Sequence, residues 1–198
     1  MTTKHNLSLA FAHQILAIGN RRLSSADQDQ VRYLLLDCLG VSRVGAALAW
    51  TKAMIEWASR FAGSGKAPIV GTRLEVAPSI AALINGTAAH GYELDDTHDA
   101  SMSHPGAVVI PVATALAAEV GASADELLAA IASGYEAMTR VGMAADAHEV
   151  IRDGYHPTAL FGGFGAAAAV PVEARRVRPC TCLGSRVVAR GWVDAVLG

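Results

Sequence analysis

The sequence predicts an all-α protein, a multi-helix domain joined by short connections. Three observations carry that reading. Hydrophobic residues make up 52% of the 198 and charged residues only 17%, which is the balance of a packed globule rather than a disordered chain. Alanine is abundant, and alanine is the residue least penalised in a helix. Apolar positions recur at helical spacing between recognisable caps.

Taken in order, Leu7 to Ile18 reads as a first helix closed by Gly19-Asn20. Ser25 with Gln28 reads as a capping box for a second, whose apolar face is Val31, Leu34, Leu35, Cys38 and Leu39. Thr51 is expected to cap a third helix ending at Gly63, and residues 68–72 to form a short strand. Pro78 opens a fourth helix running to His90. From Gly91 to Ser103 the periodicity fails and the chain turns polar. His104-Pro105 starts a helix over Val108 to Val120, and Ser123 with Glu126 caps another reaching about Ala145. Residues 146–156 read as a polar loop, and Pro157 begins a last, Gly/Ala-rich helix fading near Val170. The total is six or seven helices.

Composition also excludes classes. The net charge of -2 gives no footprint for nucleic acid or a basic membrane face. No run reaches the ~18 apolar residues of a membrane span, and the start makes a poor secretion signal, so the expected location is the cytoplasm. Cys38 belongs to an apolar helix face, and Cys180-x-Cys182 without a second pair is too little for a zinc site.

Chemistry concentrates between His90 and His104, where Glu93, Asp95, Asp96, Thr97, His98 and Asp99 also stand. A second polar cluster runs from Asp153 through Tyr155 and His156 to Thr158. Each His-Pro pair, at 104 and 156, lies where a helix begins. Exposed N–H groups and the positive dipole end there suit an anion, and a histidine beside them can be held neutral to accept a proton. That combination fits a substrate with several carboxylates and proton transfer at carbon. Two other readings fit parts of it. Asp95-Asp96-x-x-Asp99 would share a helical face and bind magnesium–diphosphate, but Gly91 and Pro105 bracket it and aromatics are only 6%. His98-Asp99, with His90, His104, His148 and His156 as further ligands, would suit a metal-dependent HD-type phosphohydrolase. A non-catalytic helical binding or assembly module is the third possibility.

The segment Ile84-Asn85-Gly86-Thr87-Ala88-Ala89-His90-Gly91-Tyr92-Glu93-Leu94-Asp95-Asp96-Thr97, then Ser103-His104-Pro105-Gly106-Ala107, resembles the MmgE/PrpD family. So does Gly154-Tyr155-His156-Pro157-Thr158 with the Phe161-Gly162-Gly163-Phe164-Gly165 run behind it. The resemblance covers roughly residues 5–170. It implies a lyase-type enzyme working on small di- and tricarboxylates without metal or organic cofactor. Activities in the family include 2-methylcitrate dehydration, the propionate-metabolism reaction, as well as cis-aconitate decarboxylation and iminodisuccinate epimerisation. It implies a helical domain plus a smaller α/β lid, usually as a homodimer. The site it implies is Glu93 (Asp in several members), Asp96, Thr97, His104 and His156, with Asp95 in the same motif.

The family chain is longer and carries a catalytic lysine downstream of the Gly/Ala-rich helix. Here the lysines are Lys4, Lys52 and Lys66, all upstream. The expectation is therefore a truncated helical domain over 1–170 that lacks the lid and has little activity alone. Residues 171–198, rich in arginine and holding two of the three cysteines, read as a disordered or frameshifted tail with few buried contacts. One DNA spelling of Trp192 to Gly198, read one base later, gives Gly-Ser-Met-Gln-Phe-Leu, similar to a family segment.

Overall fold

The computed structural model describes residues 7–172 and Ala174. Among them the chain is all-α, with eight helices and one two-stranded hairpin: α1 Leu7–Gly19, α2 Ser25–Gly45, α3 Ala49–Phe61, β1 Ala67–Pro68, β2 Glu75–Val76, α4 Pro78–Ala89, α5 Gly106–Val120, α6 Ala124–Ala144, α7 Ala147–Arg152 and α8 Pro157–Ala168. No single helix among the described residues is long and apolar enough to cross a membrane.

Helices α5, α6 and α8 form the centre. α6 packs most extensively on α8, and α4 on α5. Their buried faces are rich in Ala and Gly between larger apolar residues, so backbones approach closely with little side-chain entropy lost at the small positions. The main core gathers Val109, Ile110, Ile131, Met138 and Phe161, all at most 2% exposed, with Cys38 of α2 beside them. A second cluster joins Ile69, Val76, Ala81, Ile84 and Ala115 under the hairpin.

Several local expectations shift. Ser24, not Ser25, caps α2, and its hydroxyl accepts from Asp27 N. Thr51 does not cap α3; it lies inside that helix, fully buried, and Leu48 precedes the first turn. The strand expected over 68–72 is a hairpin pairing Ala67 with Val76 and Pro68 with Glu75. Residues 69–74 make its turn, and Asn85 of α4 braces it by accepting from Val70 N and donating to Pro68 O. The stretch 146–156 contains α7, too short at six residues to show a period in sequence. Its first turn follows Asp146, which holds a left-handed φ of 51°. The capping box at Ser123 and Glu126 forms as expected. Pro171 and Ala174 are buried, and the expectation of few buried contacts beyond residue 171 falls mostly on residues outside the described ones. The frameshift and disorder readings rest on residues outside the described ones.

Candidate active site

α4 ends at His90, the last carbonyls of the helix being closed by its backbone N–H. The chain then crosses to α5 through an irregular loop. Two non-glycine residues in it take left-handed backbone, Glu93 at φ 52° and Met102 at φ 46°. Its second half is a tight turn. His98 N donates to Ser103 O at 2.9 Å, and the ring of His98 pairs with the Ser101 hydroxyl at 2.8 Å.

Asp96 ties this loop to the core. Its Oδ1 accepts from Gly106 N at 2.8 Å, and its Oδ2 accepts from the Tyr135 hydroxyl at 2.8 Å. Gly106 must lack a side chain here, because a Cβ would collide with Asp96 Oδ1 and stand 2.9 Å from the Tyr135 oxygen. Burial pushes the Asp96 carboxyl above the usual carboxylate range, partly offset by those two donors. Tyr135 is pushed upward by the same burial and by the neighbouring Asp96, so its phenol stays protonated and donates. Cys38, on the far side of the same contact, is pushed up to about 12 by burial and is an inert core thiol.

Asp95 turns the other way. Its side chain is 1% exposed and receives the Nδ1–H of His90, at 3.0 Å from Oδ1 and 3.2 Å from Oδ2. A carboxylate only accepts, so His90 carries its proton on Nδ1. His104 Nδ1 lies 3.6 Å from Asp95 Oδ2, too far for a hydrogen bond, and is buried with no partner among the described residues. The rings of His90 and His104 meet edge to face with centroids 4.7 Å apart, and His156 stands 6.2 Å from His90. The backbone is stitched across: His104 N donates to the Thr158 hydroxyl of α8 at 2.9 Å.

Both histidines of the His-Pro pairs stand at helix starts, but the starts differ. The first N–H of α5 is taken by Asp96. At α8, His156 is the cap residue and makes no side-chain capping bond among the described residues, so that positive end has no side-chain cap. A cavity of about 410 Å³ lies between them, lined by His104, His156, Met102, Ile151, Gly154, Tyr155 and Pro157.

The residues singled out in sequence thus divide. Asp95, His104 and His156 gather with His90. Asp96 positions the loop and the α5 start. Glu93 and Thr97 are exposed on the loop. The Asp95-Asp96-x-x-Asp99 helical face does not form, since Asp99 begins a 3₁₀ turn over Asp99–Ser101 while Asp95 and Asp96 point to different partners. His98 caps that turn with its ring on the Ser101 hydroxyl and Asp99 begins it, and neither joins the grouping of His90, Asp95 and His104 among the described residues. Tyr135 and Thr158 were given no role from sequence. The signal for Tyr135 was a lone phenol in the apolar run of α6.

The fold and site define a class: an all-α scaffold that gathers histidines around a buried carboxylate beside an uncapped helix start. Residues 10–172 match the MmgE/PrpD N-terminal domain, and the chain belongs to that family. It is 27% identical over 172 residues to a cis-aconitate decarboxylase of Aspergillus terreus, covering 84% of this chain and 35% of the relative. It is 30% identical over 148 residues to a cis-aconitate decarboxylase-like protein, oryM, of Aspergillus oryzae, covering 71% and 30%. Against the cis-aconitate decarboxylase of Mus musculus the identity is 28% over 166 residues, covering 81% and 34%. The chain spans about a third of the length of the curated relatives it matches.

Proposed function

We propose that this chain supplies the helical half of the active site of a cofactor-independent lyase for small di- and tricarboxylates. One observation carries the reading. His104 and His156, far apart in sequence, line one cavity beside the uncapped start of α8. The α8 start and its N–H groups suit a substrate carboxylate. His104 and His156 suit proton transfer at the carbon beside it. In decarboxylation the C–CO₂ bond breaks, its electron pair stays on carbon, and a histidine delivers the proton that replaces CO₂. In dehydration a base removes the proton beside the carboxylate while hydroxide leaves from the next carbon. The names of the relatives favour decarboxylation of cis-aconitate over 2-methylcitrate dehydration. Glu93 and Thr97 are exposed on the loop, and in this reading they contact substrate or a further segment of the enzyme.

The test uses a longer family member carrying this domain and the region after it. Given cis-aconitate, 2-methylcitrate and iminodisuccinate in turn, it is expected to release CO₂ and a five-carbon diacid from the first. Turnover of none of the three overturns the lyase reading. A second reading, an assembly module, is favoured by apolar side chains left uncovered, among them Tyr33, Leu36, Trp50 and Phe61. The same surface suits the homodimer expected of longer relatives. A concentration-independent monomer in a sizing experiment removes both.

A further inference from the structure

The His90–Asp95–His104 cluster leaves one feature unexplained by proton transfer alone. Two ring nitrogens address one buried carboxylate, and only one of them is hydrogen-bonded to it. His104 Nδ1 is a buried polar atom with no partner among the described residues. Such atoms are penalised unless something satisfies them.

The spacing matches a metal rather than a second proton. Zinc holds nitrogen and oxygen ligands at about 2.0–2.2 Å, so neighbouring ligands of a tetrahedron stand about 3.4 Å apart. Asp95 Oδ2 stands 3.2 Å from His90 Nδ1 and 3.6 Å from His104 Nδ1, and one ligand atom from each of the three residues lies within 4.8 Å of the others. The remaining nitrogen-to-nitrogen edge closes by rotation of the imidazoles, whose side chains are 32% and 23% exposed. His90 offers its Nδ1 lone pair once its proton moves to Nε2, a change of tautomer with no net proton release. Two imidazoles and one carboxylate form the N₂O set that zinc-class ions favour over magnesium or calcium.

We propose that His90 Nδ1, Asp95 and His104 Nδ1 form a site for one zinc-class divalent cation, completed by water or a substrate carboxylate. The cation is an inhibitor there, not a cofactor. It occupies the Asp95 carboxylate and locks the ring of His104, which the lyase chemistry needs free. Chelation therefore leaves a longer, active family member unchanged or faster, whereas a metal hydrolase would lose activity.

The binding test needs no substrate, so it stands or falls separately from the lyase reading. The full chain is prepared with Cys180→Ser and Cys182→Ser, so that the two thiols near its end cannot bind zinc. Zn²⁺ is then titrated against a chromogenic chelator. One equivalent is expected to bind, and His90→Gln and Asp95→Asn each to weaken it about tenfold or more, while His148→Gln leaves it unchanged. Co²⁺ on the otherwise unaltered chain is expected to give visible absorption of tetrahedral type, a readout that needs no site variant. Circular dichroism confirms that each variant keeps its helices. Absence of stoichiometric binding, or binding equal in the folded His90→Gln and Asp95→Asn variants, overturns the proposal.

Discussion

The platform of α5, α6 and α8 and the loop between α4 and α5 solve opposite problems. The platform is apolar, regular and closely packed, with Val109, Ile131 and Met138 fully buried. The loop holds left-handed residues at Glu93 and Met102 and turns two adjacent carboxylates to opposite sides. Its irregular shape persists because the platform over-determines it. Asp96 is clamped by the α5 start and by Tyr135 of α6, and His104 by Thr158 of α8. The difference teaches that the site is strained locally and stabilised remotely.

Breaking the platform gives the largest effect. Phe161 is 2% exposed in the main core. Phe161→Ala is expected to lower stability by about 4 kcal/mol, read by chemical denaturation, with the histidine cluster loosening as well. Gly134→Ala is milder. Its Cβ would stand 2.5 Å from Val109 Cγ1 and 2.9 Å from Ala169 Cβ. Overpacking outweighs the gain in helix propensity, for a net loss of about 1–2 kcal/mol. A neutral result would show that α6 and α8 can move apart freely.

The tie between the two regions is tested by pH. The folded state raises the Asp96 pKa, so it binds that proton more tightly than the unfolded chain does. The contribution of this group to stability is therefore present in acid and lost as pH rises from the unfolded to the folded pKa. Asp96→Asn keeps the acceptor for Gly106 N and can pair with Tyr135 with the bond reversed. Stability curves against pH are expected to lose that fall in the variant, which then exceeds the parent at neutral pH. Superimposable pH profiles would contradict the assignment.

The smallest effect lies in the loop itself. Glu93→Gly removes a side chain from a left-handed position and is expected to raise stability by up to about 1 kcal/mol. A loss of stability would mean that Glu93 makes contacts worth more than the strain.

The same division governs what the sequence made legible. Regular helices with strong caps were readable: Pro78 at the start of α4, Ser123 with Glu126 at α6, and Pro157 at α8. Features decided by tertiary contact were not. Thr51 looks like a cap by residue type, yet it is drawn into the core. The six residues of α7 carry too little period. In the site, sequence brought His90 to His104 together as one cluster, but not the opposed directions of Asp95 and Asp96. Those depend on Tyr135, 39 positions from Asp96, which no local pattern reports.

The central claim is that α5 and α8 bring His104 and His156 to one carboxylate-binding cavity. Long-range ¹⁵N spectra of the histidine side chains, recorded while cis-aconitate is added to this chain, test it most directly. The account predicts saturable shifts of His104 and His156, with His13 and His148 unmoved. Equal shifts at all histidines, or none at His104 and His156, would contradict it.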